Sequence, residues 1–181
     1  MSRDNKVLCV MGINGEIELY DVSIGTGTGQ LALLCSWMAE STSDYSTFMC
    51  ELFRSVRTGT HYLAYCPGVV HDVIVFAVDN TNAAPPVLHL LKGPSSVGSL
   101  SASADGEVLA VTYNDEMWLW DVAMGECIRV IKADSLFRPV FESKNCTVAM
   151  HPTDAGVFVL EVGHGLFKFD VRCPASKALN L

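Results

Sequence analysis

The chain has 181 residues, half of them hydrophobic and 18% charged, with a net charge of −8, a mean hydropathy of +0.30 and a pI near 4.9. That composition excludes a disordered chain, and 7 prolines with 14 glycines exclude collagen-like and low-complexity chains. There is no surplus of lysine and arginine to displace counterions, so no nucleic acid is expected as a partner. The length predicts a single domain over residues 1–181.

The charged residues 1–6 precede an apolar run of only five, Val7–Met11, which is too short for a secretory signal. The longest charge-free segment, 22–39, carries Gly25, Gly27 and Gly29 among threonines and serines, too polar for a bilayer, so no membrane insertion is expected. The expected location is intracellular, cytoplasmic or nuclear. Residues 6–11, 16–22 and 31–36 alternate apolar and polar positions and predict strands. Between them, Ile24-Gly25-Thr26-Gly27-Thr28-Gly29-Gln30 follows a strand, and residues 30–40 can be drawn as a helix with Leu31, Leu34, Cys35 and Met38 on one face. Such a loop at a helix N-terminus can cradle phosphate, and it resembles the glycine-rich nucleotide loop of the tubulin-like GTPases. It has neither the Gly-Lys-Ser/Thr of a P-loop nor the glycine spacing of a dinucleotide fingerprint. The competing reading is a loop between the third and fourth strands of one repeat unit.

Further along, the chain repeats itself. Asn14-Gly15-Glu16-Ile17-Glu18-Leu19-Tyr20-Asp21-Val22 aligns with Asn114-Asp115-Glu116-Met117-Trp118-Leu119-Trp120-Asp121-Val122, a shift of 100. Residues 72–78 and 165–171 are further copies, and the aromatic positions Tyr20, Phe76, Trp120 and Phe169 fall at intervals of 56, 44 and 49. A period near 50 predicts stacked repeats. The four units are 6–36, 46–91, 97–131 and 146–181. The third unit parses best. Strands are expected at 97–101, 107–113, 116–122 and 127–131, with hairpin turns at Ala104-Asp105-Gly106 and Asn114-Asp115. Four short antiparallel strands per unit is the geometry of a propeller blade. In the last unit, strands are expected at 147–150, 157–162 and 166–171, and 176–181 is available as a fourth.

Ser103-Ala104-Asp105-Gly106 before one strand and Trp120-Asp121 closing the next resemble the WD-repeat family of β-propellers. The other units put Tyr20-Asp21, Phe76-Ala77 and Phe169-Asp170 at the Trp-Asp position. The Gly-His pair that family members often carry before a first strand is replaced by Lys92-Gly93-Pro94-Ser95-Ser96, while Gly163-His164 falls in a second-to-third strand turn. The first unit opens on its second strand. The expectation is an all-β propeller segment of about four four-stranded antiparallel blades, open rather than closed.

Seven cysteines, Cys9, Cys35, Cys50, Cys66, Cys127, Cys146 and Cys173, are never closer than 15 residues, so no zinc-ligand spacing is present. An odd count without a secretory signal argues against a disulfide framework. The five histidines, His61, His71, His89, His151 and His164, form no metal motif. Glu16 and Glu18, and Asp115 and Glu116, read as solvated strand and turn charges. No catalytic residue, metal or cofactor is expected, and the chain is not expected to be an enzyme.

The resemblance implies a protein-interaction scaffold, completed by a partner protein or by a second copy of itself. One propeller face would carry Trp37, Met38 and Tyr45 from one loop, Phe137 and Arg138 from another, and Asn114 and His164 in its turns. Aromatic and arginine side chains are the usual interface anchors. Burial of Trp37 or Phe137 between blades is the competing reading. A third reading is a fragment of a larger propeller with no role of its own.

Overall fold

A computed structural model describes residues 2, 4, 6–12, 15–22, 31–38, 49–67, 71–78, 85–114, 116–132, 146–162, 165–170 and 179–180. The strands in chain order are β1 (Val7–Met11), β2 (Glu16–Asp21), β3 (Ala32–Met38), β4 (Met49–Arg54), β5 (His61–Cys66), β6 (Asp72–Val78), β7 (Val87–Lys92) and β8 (Val97–Ala102). They continue with β9 (Val108–Tyr113), β10 (Glu116–Asp121), β11 (Glu126–Lys132), β12 (Cys146–Met150), β13 (Val157–Val162), β14 (Gly165–Asp170) and β15 (Leu179–Asn180). They form four antiparallel meanders, β1-β2-β3, β4-β5-β6-β7, β8-β9-β10-β11 and β12-β13-β14-β15. The all-β expectation holds, and so does the three-stranded first unit. The helix drawn over 30–40 does not: residues 32–38 are strand β3, paired along its length with β2.

The chain divides into two compact units. Residues 1–68 and 73–90 make one, and residues 69–72 and 91–181 the other. The first has a core of Val7, Ile17, Leu19, Cys35, Leu52, Leu63, Tyr65, Phe76 and Val78. The second packs Ala110, Met117, Leu119 and Ile131 of the third sheet against Cys146, Val148, Met150, Phe158, Leu160 and Phe169 of the fourth. Strand position explains the residue types. The second strands, β5 and β9, are buried at every position after their first, which suits near-continuous apolar and aromatic runs such as YLAYC and LAVTY. The last strands β3, β7 and β11 show one face to solvent, leaving Leu33, Val87 and Ile128 each at least half exposed.

The repeat of 100 is also a repeat of local geometry. Between β2 and β3 the register slips at Leu19/Tyr20, and between β10 and β11 it slips at Leu119/Trp120. In each case the extra residue lies on the last strand, Leu34 in β3 and Ile128 in β11, so the same strand is bent in two sheets. The turns repeat too. Ser103 donates its N–H to the Val108 carbonyl at 2.8 Å and accepts the Val108 N–H on its hydroxyl at 2.9 Å, and Asp105 accepts the Ser103 hydroxyl. Ser2, Val7 and Asp4 repeat every one of these bonds, with 2.8, 2.9 and 2.7 Å.

In the second unit, hydroxyls join neighbouring sheets. Ser99 Oγ accepts the N–H of Val148 at 2.8 Å and Ser101 Oγ that of Met150 at 2.9 Å. Thr112 Oγ1 donates to the Cys146 carbonyl at 2.7 Å. Space for this seam depends on Gly98, where a Cβ would stand 2.9 Å from Thr112 Oγ1 and 3.0 Å from the Cys146 oxygen.

Candidate functional site

In the first unit, two turns and two strand ends enclose a cavity of about 300 Å³ lined by Lys6, Val7, Asp21, Leu34, Arg54, Gly59 and His61. Gly59 closes the Ser55–Thr60 turn at φ +74°, donating to the Ser55 carbonyl at 2.9 Å. The Gly59 carbonyl accepts Arg54 Nε at 3.0 Å, which holds the guanidinium beside the cavity. Asp4, held by the Ser2 turn, receives His61 Nε2 at 3.0 and 3.2 Å and stands 3.8 Å from Arg54 Nε. Partial burial works against the charged form of Asp4. The Ser2 hydroxyl, the His61 ring and the Lys6 amide outweigh it and hold the carboxyl below its usual pKa.

A second group of reactive side chains lies nearby in sequence terms, on β1 and β4. The Cys9 and Cys50 thiols are hydrogen-bonded to one another. The Cys9 S–H stabilises a Cys50 thiolate, bringing Cys50 down to about 7, while the same bond and then burial push Cys9 up. Cys50 is exposed and Cys9 half-buried. Among the described residues, no group of three or more His, Cys, Asp or Glu side chains is placed to hold a metal ion. Among them too, no helix is long and apolar enough to cross a membrane.

No protein-family model matches the chain, and no curated protein matches its sequence. Solved structures do match its fold. The C-terminal WD40 domain of Sif2 aligns with 96% of this chain and 44% of that one, with a TM-score of 0.56 and 14% identity. The β-propeller domain of Myceliophteria thermophila Cps50 (Swd1) aligns with 77% of this chain and 38% of that one, with a TM-score of 0.53 and 20% identity. The fold is that of a WD40 β-propeller segment. The chain spans less than half the length of either of these two structures.

The four sheets are thus WD40 blades, and the residues expected on one propeller face can be placed within them. Trp37 lies on β3 with its ring edge-on to Phe76, centroids 5.4 Å apart, so it packs against the first unit's core between blades 1 and 2. Met38, its neighbour, is 60% exposed. Asn114 is exposed in the β9–β10 turn at φ 45°, a conformation asparagine tolerates better than most residues. Tyr45, Phe137, Arg138 and His164 lie outside the described residues, as do residues 23–30 with Gly25, Gly27 and Gly29. With β3 in place of a helix, that loop has no following helix N-terminus to offer phosphate.

The cavity sits at the opposite strand ends from Met38. Asp21 pairs with Val7 and Ala32 at one end of the first blade, and Glu16 pairs with Met38 at the other. Sequence reasoning missed it, because Asp4 and His61 are 57 residues apart and their bond is made only by folding. A signal was present: Ser2-Arg3-Asp4 repeats Ser103-Ala104-Asp105, marking residues 2–6 as a blade turn. Gly93 donates to the His71 carbonyl at 3.1 Å, and the Tyr113 ring covers Gly93 so closely that a Cβ there would stand 2.0 Å from Cε1.

Proposed function

We propose that this chain is a non-enzymatic protein-interaction scaffold, acting inside the cell, whose first blade is completed by a strand from a partner protein or a second copy. The observation that carries this reading is the inner edge of β1. In the third blade the equivalent strand β9 is hydrogen-bonded on both edges, to β8 and to β10. In the first blade β1 pairs with β2 alone among the described residues. An edge of this kind is a template for strand addition. Apolar side chains on the exposed last strands, Leu33, Val87 and Ile128 among them, add surface of the kind that binding sites use.

Strand β8 is the fold's own sample of what fits such an edge. A synthetic peptide of residues 95–104, which contains β8, is expected to raise the midpoint of thermal unfolding. A version with proline at alternate strand positions, which cannot complete the ladder, should not. Equal midpoints with and without the β8 peptide, together with a strictly monomeric mass by light scattering, would sink the proposal.

A further inference from the structure

We propose that the cavity between the Ser2–Val7 and Ser55–Thr60 turns seats an aspartate or glutamate side chain of a protein partner, gripped by Lys6 and Arg54. This takes its class of partner from the scaffold reading but uses a different surface from the β1 edge.

Charge argues for it first. Lys6 and Arg54 are permanent cations on the lining of one cavity in a chain of net charge −8. Asp21 lines the same cavity, and Asp4 offsets Arg54 only in part. Its two oxygens are engaged by His61 Nε2 at 3.0 and 3.2 Å, and its approach to Arg54 is only 3.8 Å. Lys6 has no ion pair among the described residues. Asp21 occupies the position of Asp121, whose Oδ1 accepts the amides of Ala123 and Met124 at 2.9 and 3.0 Å in the turn that follows.

Geometry argues for it next. The Arg54 Nε bond to Gly59 fixes the guanidinium plane and leaves its terminal nitrogens to approach a planar two-oxygen acceptor, with a lysine as point charge beside it. At about 300 Å³ the cavity has room for one carboxylate side chain and its hydration. A dianionic phosphate would face Asp4 and Asp21 across the same space with an unfavourable balance of charge. A monoanionic carboxylate faces the same two aspartates with half the charge, and Lys6 and Arg54 can balance it.

The test is binding of a fluorescein-labelled peptide of alternating glycine and glutamate, followed by fluorescence anisotropy at low ionic strength. The glutamate peptide is expected to bind and to weaken with added salt, and the glutamine analogue is expected not to bind. Lys6→Gln and Arg54→Gln should each weaken binding by roughly two- to fivefold, as for partly exposed ion pairs. Lys168→Gln, an exposed cation in the other unit, should leave it unchanged, and thermal melts verify that every variant is folded. Absence of binding, equal binding of the glutamine peptide, an unchanged double variant, or displacement by equimolar inorganic phosphate would each overturn the proposal. Because the β8 peptide reads a different edge, its success beside a failed glutamate peptide would sink the cavity assignment and leave the scaffold reading standing.

Discussion

A single hydrogen atom decides the identity of residue 93. Gly93 has an ordinary φ, so its requirement is one of space alone: the Tyr113 ring and the His71 carbonyl occupy the place of any side chain. Gly93→Ala must displace a fully buried tyrosine or break the 3.1 Å bond to His71. We expect a loss of about 1–3 kcal/mol, the usual cost of overpacking, read from urea unfolding curves. A loss below about 0.5 kcal/mol would mean that Tyr113 yields freely. Cys50 carries a prediction of a different kind. Its thiolate is stabilised by the Cys9 S–H, so iodoacetamide should label Cys50 with an inflection near pH 7, reactivity rising with pH as the thiolate forms. In Cys9→Ala the inflection should move up into the ordinary thiol range, because the donor is gone while burial and the Glu51 charge still oppose ionisation. An unshifted profile would mean that Cys9 does not set the ionisation of Cys50.

At the scale of strands, the seam between β8 and β12 predicts which serines matter. Ser101 is nearly buried and accepts an amide that points away from its own sheet. Ser101→Ala leaves the Met150 N–H without its acceptor, at a cost of about 1–3 kcal/mol. Ser96→Ala, at an exposed position just before β8, is expected to stay within about 0.5 kcal/mol, and comparable melts for the two would discount the seam. Strands of this sort were largely legible in the sequence. Alternation in EIELYD and EMWLWD, with Asn-Gly and Asn-Asp before them, gave β2 and β10 directly. The segment of β3 was harder, because Leu31, Leu34, Cys35 and Met38 also satisfy a helical period, and its pairing with β2 decides between the two. The seam itself was not legible: a serine on a strand gives no sign that its acceptor will serve the next blade.

At the scale of the molecule, a free inner edge makes stability depend on what else is in solution. A strand donor present at 100 times its dissociation constant adds about 2.7 kcal/mol to the stability of the state it binds. For a chain of this size that corresponds to a rise of roughly 5–11 °C in the unfolding midpoint, well within reach of the β8-peptide experiment. The repeat architecture was visible in the sequence because its markers are local, as with Tyr20-Asp21 against Trp120-Asp121. The cavity was not, since Lys6 and Asp21 of blade 1 meet the paired Arg54 and His61 of blade 2 only when the two blades pack. The seam has one more consequence. Ser99 and Ser101 reach across to the main chain of β12, so the receiving strand contributes amides that every residue except proline possesses. These bonds therefore constrain no side chain of β12, and its buried Cys146, Val148 and Met150 answer only to the packing of the core. A repeat protein joined in this way can lose the resemblance between its units while keeping their register.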